Sequence, residues 1–479
     1  MLTKLLFLYI LNLLEDNAKE RKMKMYEVRD LIQAGYTFDQ WCLEAVNQAN
    51  DLVSEGKQVD LVEIAERVKN LPQFRPHEMR EEPLPFHVNL DAEGEDVEFL
   101  ERNKEAVVET MNKLMRLPTL EKGALMPDAC PAGTICVGGV VAARNAIHPA
   151  FHSADICCSM ALTEYDFDEP KRVLDAAMEV THFGPTGRAV AEPMPQYLID
   201  AIEGNRYTKP LMQHAKRDFA TQGDGNHFLF VGRSANTGKV NVVTHHGSRS
   251  FGARLFKKGM QIAEKFAKNI APKGMDKGYA WIPFETDEGR DYWEALQIIR
   301  LWTMENHYRI HDMIQEKLGL DVLDRFWNEH NFVFKRGDLF YHAKGATPGW
   351  TDTYERTLVP MNMSESVLVT RGTDVENGIG FLPHGAGRNM SRSEFNRRFP
   401  NPTLPEGIDV RSFSGVVDAS ELPEAYKNAD EVKAQIKKYG LAEVVDEILP
   451  YGSIMAGENP NPPAWLLAKQ AKKKAKNKE

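Results

Sequence analysis

The sequence predicts a fold that mixes helices and strands, with a helical region appended at its N-terminus. Three observations carry this. Residues 1–80 repeat apolar side chains at three- and four-residue spacing and hold few strand formers. From about 119 to 250, short apolar runs are broken by glycine and end in polar motifs, the texture of strands. A long helical block near 251–327 then separates these runs from a second set of strands.

In order, "MYEVRDLIQAGYTFDQWCLEAVNQANDLVSEG" reads as helices, and the Pro-rich, acidic "LPQFRPHEMREEPLPFHV" reads as a boundary. The runs "TICVGGVVAA", "MALTEYDF", "HFLFVG" and "VNVVTHHGS" read as strands. The helical block contains "DYWEALQIIRLWTMENHYRIHDMIQEKLGL". Strands return at "NFVFKRGDLFYHAKG" and "ESVLVTRG", and "ELPEAYKNADEVKAQIKKYGLAEVVDEIL" reads as a helix-rich end. Ahead of all this, "LLFLYILNLL" has only about half the length that spans a bilayer. No small-residue cleavage site follows it, so a packed or amphipathic helix is expected, or an extension before a start at Met23 or Met25. The Lys-rich residues 469–479 read as a solvated tail.

With 42% hydrophobic and 27% charged residues, the composition is that of a soluble globular protein. The formal charge of −10 counts mildly against non-specific coating of nucleic acid and means that any such contact must use a local basic groove. Five cysteines without repeated spacing argue against a disulfide framework, and a cytoplasmic location away from membranes is expected.

The stretch "GIGFLPHGAGRNMSRSEFNRR" sets His384 between Pro383 and Gly385-Ala386-Gly387, with Arg388, Arg392, Arg397 and Arg398 beyond. One reading is a tight turn with a solvated rim. The other is a seat for phosphate oxygens, built of glycine amides and guanidinium groups, with a neutral imidazole as phosphorus nucleophile.

Four further clusters stand at strand ends: "HSADICCSM" with Asp155 and Cys158, "TQGDGNHFLF" with Asn226 and His227, "VVTHHGSRSFG" with His245, His246, Ser248 and Arg249, and "NEHNFVF" with His330 and Asn331. Taken singly, such residues cap turns or fill cores. Taken together, carboxylate, thiolate and imidazoles make a mixed N/O/S metal site. The soft thiolate points to zinc, and this many ligands allow two adjacent ions.

In this order and across roughly residues 120–457, "SADICCSM", "GDGNHF", "HHGSRSFG", "EHNFVF", "AKGAT", "HGAGRNMSR" and "AYKN" resemble the RtcB family of RNA-splicing ligases. The resemblance implies an α+β fold with a central metal-binding cleft at residues 81–457, between a helical extension at 1–80 and a tail at 458–479. It also implies two Mn²⁺ ions in place of zinc, and GTP. By resemblance, Asp155, Cys158, His227, His245 and His330 are the manganese ligands, with Cys158 bridging, and His384 is the nucleophile. Asn226, Gly385, Gly387 and Tyr426 fall at nucleotide-contacting positions; Arg249, Asn331 and Arg388 fall near phosphates. His246 stands where the family has a small residue and is left out of the ligand set.

The family chemistry joins RNA ending in a 2′,3′-cyclic phosphate or 3′-phosphate to RNA with a 5′-hydroxyl. His384 takes GMP from GTP and passes it to the RNA 3′-phosphate; the 5′-hydroxyl then displaces GMP. In this scheme the glycines of "HGAGR" let the nucleotide phosphate approach the backbone. The partners implied are RNA with broken ends, a nucleoside triphosphate and an activating protein of unknown identity.

Several positions depart from the family. Phe230 replaces a glutamate that reads guanine, and Met455 replaces a base-contacting lysine, so base preference is expected to broaden or shift. "DICCSM" adds bulk at Cys157 and Ser159, and the segment Ala343-Lys344-Gly345-Ala346 has lost a basic residue. Two alternatives to the ligase follow: a manganese phosphoesterase or nucleotidyl-transfer enzyme that does not seal RNA, and a non-catalytic RNA-binding relative.

Overall fold

The computed structural model describes residues 26–36, 40–71, 76–92, 97–390, 392–399 and 403–458. The apolar run near the N-terminus and the Lys-rich tail lie outside the described residues. Helices Val28–Gln33, Gln40–Ser54 and Leu61–Lys69 pack around Leu31, Trp41, Val46, Ile64 and Val68, a core of their own. Asp60 starts the third by accepting from the amide of Val62 at 2.9 Å.

The rest is α+β. Its larger sheet runs in the order Thr357–Pro360, Val367–Gly372, Ala442–Met455, Phe228–Ser234, Val240–His246, Ser159–Tyr165 and Val322–Glu329, each neighbour antiparallel, with Asp409–Ser412 added in parallel beside Ala442–Met455. The sheet nearly closes, because the amide of Leu358 on the first strand donates to Asn328 Oδ1 on the last at 2.8 Å. Every residue of Val240–His246 is buried, as its run of β-branched side chains requires of a central strand. A smaller sheet of five strands contains Leu120–Cys130, Val137–Arg144, Leu339–Lys344 and Asn331–Arg336.

Register gathers the polar motifs at one end of the larger sheet. His245 pairs with Met160 and Phe228, and Ser159 pairs with Glu329. Cys158, His227 and His330 each lie one residue beyond those partners, so all come to one rim.

Helix Asp287–Leu318 lies against the sheet and is buried along most of its length. Thr286 caps its start and Gly319, at φ 65°, ends it. His307 and His311 project from it onto Thr244, at 2.7 and 2.8 Å.

Three expectations differ from the structure. The helical block read to residue 327 ends at Leu318, and Val322–Glu329 is a strand. Residues 170–218, read as strand territory, hold helices Pro170–Val180, Gln196–Gly204 and Met212–Asp218. Pro170 and Pro195 open the first two, where a missing amide proton costs nothing. The helix-rich end stops at Lys438 with Gly440 at φ 63°, and Ala442–Met455 is a strand. Its burial does not alternate cleanly, which hid it from a period-two reading.

Candidate active site

Five donors meet at the rim. Cys158 Sγ stands 3.2 Å from His245 Nε2 and 3.8 Å from His227 Nε2. His245 Nε2 is 3.2 Å from His330 Nε2, and His227 Nε2 is 3.5 Å from Asp155 Oδ2. They form two groups, Cys158 with His245 and His330, and Asp155 with Cys158 and His227, each with its donor atoms within 4.8 Å. Cys158 belongs to both. One thiol, one carboxylate and three imidazoles at such spacing fit a pair of divalent cations.

Backbone contacts hold the donors in place. His227 Nδ1 meets the Gln222 carbonyl at 2.7 Å and His245 Nδ1 meets that of Asn226 at 3.1 Å, leaving each Nε2 to the cluster. The His330 amide donates to the Cys158 carbonyl at 2.9 Å. Burial, and then the Asp155 carboxylate, push the Cys158 thiol well above its usual range. Burial, then His227 and His384, pull His245 down to about 3, and burial with His384 and His245 takes His330 well below its usual value. Neutral imidazoles are the form that binds a cation.

Cys157 has φ 60°, the left-handed region, which for a side-chain-bearing residue costs on the order of 1–2 kcal/mol. Its thiol lies near Thr303 and the buried Arg300–Glu329 pair. Ser159 Oγ is spent on the Cys157 carbonyl and His307 Nε2, both at 3.0 Å. His246 stacks on His307 with ring centres 3.4 Å apart.

His384 follows strand Phe381–Pro383, and its ring centre is 4.9 Å from that of His330. Its Nδ1 lies 2.5 Å from Asp128 Oδ2, and its amide donates to the same oxygen at 3.1 Å. Asp128 is fully buried on strand Leu120–Cys130. Lys427 brackets it, donating to the carbonyls of Pro127 at 3.0 Å and Ala129 at 2.8 Å. The glycines of this turn are needed for packing against protein. A Cβ at Gly387, whose φ is 72°, would meet the Asp128 carbonyl at 2.4 Å, and one at Gly385 would meet that of Pro360 at 2.8 Å. These close contacts by themselves require glycine at both positions, and both glycines also line the cavity.

The arginines are largely engaged by acids. Arg388 reaches Glu421 Oε2 at 3.3 Å and the Ser420 carbonyl at 2.9 Å, and lies over the Tyr426 ring at 5.4 Å. Arg392 Nε donates to Glu421 Oε1 at 2.7 Å, Tyr426 Oη to Oε2 at 2.5 Å, and Arg398 pairs with Glu394. One guanidinium nitrogen of Arg388 is buried without a partner among the described residues.

A cavity of about 260 Å³ opens onto this cluster. Asn226, His227, His245, His330, His384, Gly385, Gly387, Arg388 and Tyr426 line it, and Phe230 and Met455 form part of its apolar wall. Arg249 and Asn331 do not line it. Arg249 is held by Thr221 Oγ1 at 3.1 Å and the Gly184 carbonyl at 2.6 Å, and Asn331 Oδ1 accepts from the Gly345 amide at 2.7 Å. Sequence reading missed Asp128, Lys427 and Glu421. The signal for Asp128 is a lone carboxylate inside the apolar run "GALMPDAC".

The family model described as tRNA-splicing ligase RtcB matches residues 197–456. The chain is 29% identical to the tRNA-splicing ligase RtcB of Archaeoglobus fulgidus, over 53% of this chain and 63% of that protein. It is 30% identical to that of Pyrococcus abyssi over 50% of this chain and 32% of the relative. The chain thus spans less than two thirds of either of these two curated relatives. With the protein of the same name from Methanococcus maripaludis, the identity is 25% over 82% of this chain and 99% of that protein.

Proposed function

The chain belongs to the RtcB family, and from that premise we propose that it is a manganese-dependent RNA ligase that uses GTP and a histidine-bound nucleotide to join 3′-phosphate or 2′,3′-cyclic phosphate ends to 5′-hydroxyl ends. The observation that carries the reading is the pair of donor groups sharing Cys158, with the His384 ring 4.9 Å from His330. On this reading Asp155, Cys158 and His227 would hold one ion and Cys158, His245 and His330 the other. When bound, the ions draw in phosphate oxygens and neutralise charge that develops as a phosphoryl group transfers.

The chain's own residues do the rest. Asp128 accepts the Nδ1 proton of His384, which leaves the Nε2 lone pair to act as nucleophile. As Nε2 bonds to the α-phosphorus of GTP, the bond to the β-phosphate oxygen breaks and pyrophosphate leaves; the buried carboxylate balances the charge gained by the ring. Water first opens a 2′,3′-cyclic phosphate to a 3′-phosphate; GMP then passes from His384 Nε2 to the 3′-phosphate, freeing the ring, and the 5′-hydroxyl attacks the RNA phosphorus and expels GMP. The unpartnered Arg388 nitrogen offers a phosphate oxygen a seat, and Asn226 and Tyr426 hold the nucleotide. Arg249 and Asn331 act at one remove, by fixing the loops around Gly184 and Gly345. Residues 81–457 are the catalytic unit.

The apolar wall at Phe230 and Met455 keeps a second reading in view, nucleotidyl transfer without sealing. One experiment separates the two. An RNA strand ending in a cyclic phosphate is incubated with a 5′-hydroxyl strand, Mn²⁺ and GTP, and the products are resolved by length. A joined strand that is lost in His384→Ala supports the ligase; end hydrolysis or nucleotide transfer without joining supports the alternative.

A further inference from the structure

The cavity beside His384 has one wall built by two paired strands. In their register Ser453 faces Phe230 and Met455 faces Phe228, and all four side chains line the cavity. The alternate residues Leu229 and Ile454 turn into the main core. Around Ser453 the wall is apolar: Phe230, Val367, Met363 and Met455 are all buried, and they belong to two separate clusters that meet here. Ser453 is 3% exposed, and its hydroxyl has no hydrogen-bond partner among the described residues.

A buried hydroxyl without a partner carries a desolvation cost that native structures rarely leave standing without a reason. At the other polar positions of the cavity the demand is met differently. Glu421 is occupied by Arg388, Arg392 and Tyr426. The remaining buried unpartnered atoms in the lining are His330 Nδ1, on the metal-site side, and the Arg388 nitrogen, which suits a phosphate. Ser453 is left as a neutral group set among ring-sized apolar contacts. Such surroundings suit a planar base, which has apolar faces and a polar edge.

Resting on the reading of this cavity as the nucleotide site, we infer that Ser453 reads the edge of the nucleotide base and admits guanine and adenine alike. The reason is the chemistry of the hydroxyl. It donates one hydrogen bond, accepts others, and rotates to suit its partner. Guanine offers a carbonyl oxygen at the ring position where adenine offers an amino group. A carboxylate, which only accepts, would separate them, and a hydroxyl serves both. The apolar wall supplies affinity without regard to that edge.

Calorimetric titration of GMP and AMP into the Mn²⁺-loaded full chain tests this, alongside Ser453→Ala and Ser453→Thr. Wild type is expected to bind the two nucleotides within about 5-fold of each other. Ser453→Ala should weaken both by about 5-fold, the usual worth of one neutral hydrogen bond, and Ser453→Thr should stay near wild type. The unliganded Ser453→Ala protein should melt no lower than wild type, because it loses a hydroxyl that bonds to nothing. A preference above about 100-fold for one purine, or unchanged affinities in Ser453→Ala, overturns the inference and leaves the nucleotide site itself standing. Failure of wild type to bind either nucleotide overturns the reading of the cavity, and the inference with it.

Discussion

His384 Nδ1 lies 2.5 Å from Oδ2 of Asp128, a carboxylate buried completely beneath the turn that carries the histidine. The contact fixes both the ring's orientation and its tautomer. Asp128→Asn preserves shape but puts an amide where a strong acceptor stood. We expect histidine–nucleotide formation to slow by about 10²–10⁴-fold, with nucleotide affinity changed much less. Single-turnover kinetics with labelled GTP give the first quantity and equilibrium titration the second. Equal losses in both would mean that Asp128 shapes the pocket and does not act on the nucleophile.

Because Cys158 belongs to both donor groups, its removal should cost more metal than the loss of any histidine. Equilibrium dialysis against Mn²⁺ is expected to give two ions per chain for wild type, one for His330→Ala and none for Cys158→Ala. Chelation should lower the melting temperature of wild type, since an ion held at about 100 times its Kd adds about 2.7 kcal/mol to stability. Two ions retained by Cys158→Ala would refute the shared thiolate.

Glu421 is 5% exposed and joins Arg388, Arg392 and Tyr426 at one point. Glu421→Gln leaves two guanidinium groups without their shared counter-charge. Urea unfolding should show a loss of about 1–3 kcal/mol, and affinity for GMP should fall because Arg388 loses an anchor. A variant as stable as wild type would show that the arginines find other partners.

Buried histidines that do not line the cavity set an acid limit on stability. Burial pulls His148 down to about 3 and His152 to about 4, and takes His342 well below its usual value. In the unfolded chain these rings take up a proton near pH 6.5; folded, they stay neutral to much lower pH. Between those limits the unfolded state binds more protons, so stability is complete above about pH 6.5 and declines as the pH falls below it. The decline due to His152 ends near pH 4 and that due to His148 near pH 3. Urea midpoints at pH 7, 6 and 5 should fall in that order; constant midpoints would contradict the assignment.

The donors were candidates in the sequence because they stand together in polar motifs at strand ends, and the family resemblance separated them from neighbours such as His246. What brings them together, the pairing of Met160 and Phe228 with His245 and of Ser159 with Glu329, is a matter of register between distant segments and leaves no local trace. Asp128 was hidden for a related reason: its partner His384 is 256 residues away. The strand Ala442–Met455 was masked by apolar residues at Leu441, Val444, Val445 and Ile448, a spacing that equally suits a helix. The Lys427 bracket around Asp128 and the Glu421 hub had no sequence signal beyond their closeness to Tyr426.

The most direct test is to incubate the full chain with Mn²⁺ and α-labelled GTP or ATP, digest it, and locate the label by mass spectrometry. The account predicts an acid-labile nucleoside monophosphate on the peptide containing residue 384, dependent on manganese and absent in His384→Ala. A label on another residue, or no label while the metal is demonstrably bound, would contradict it.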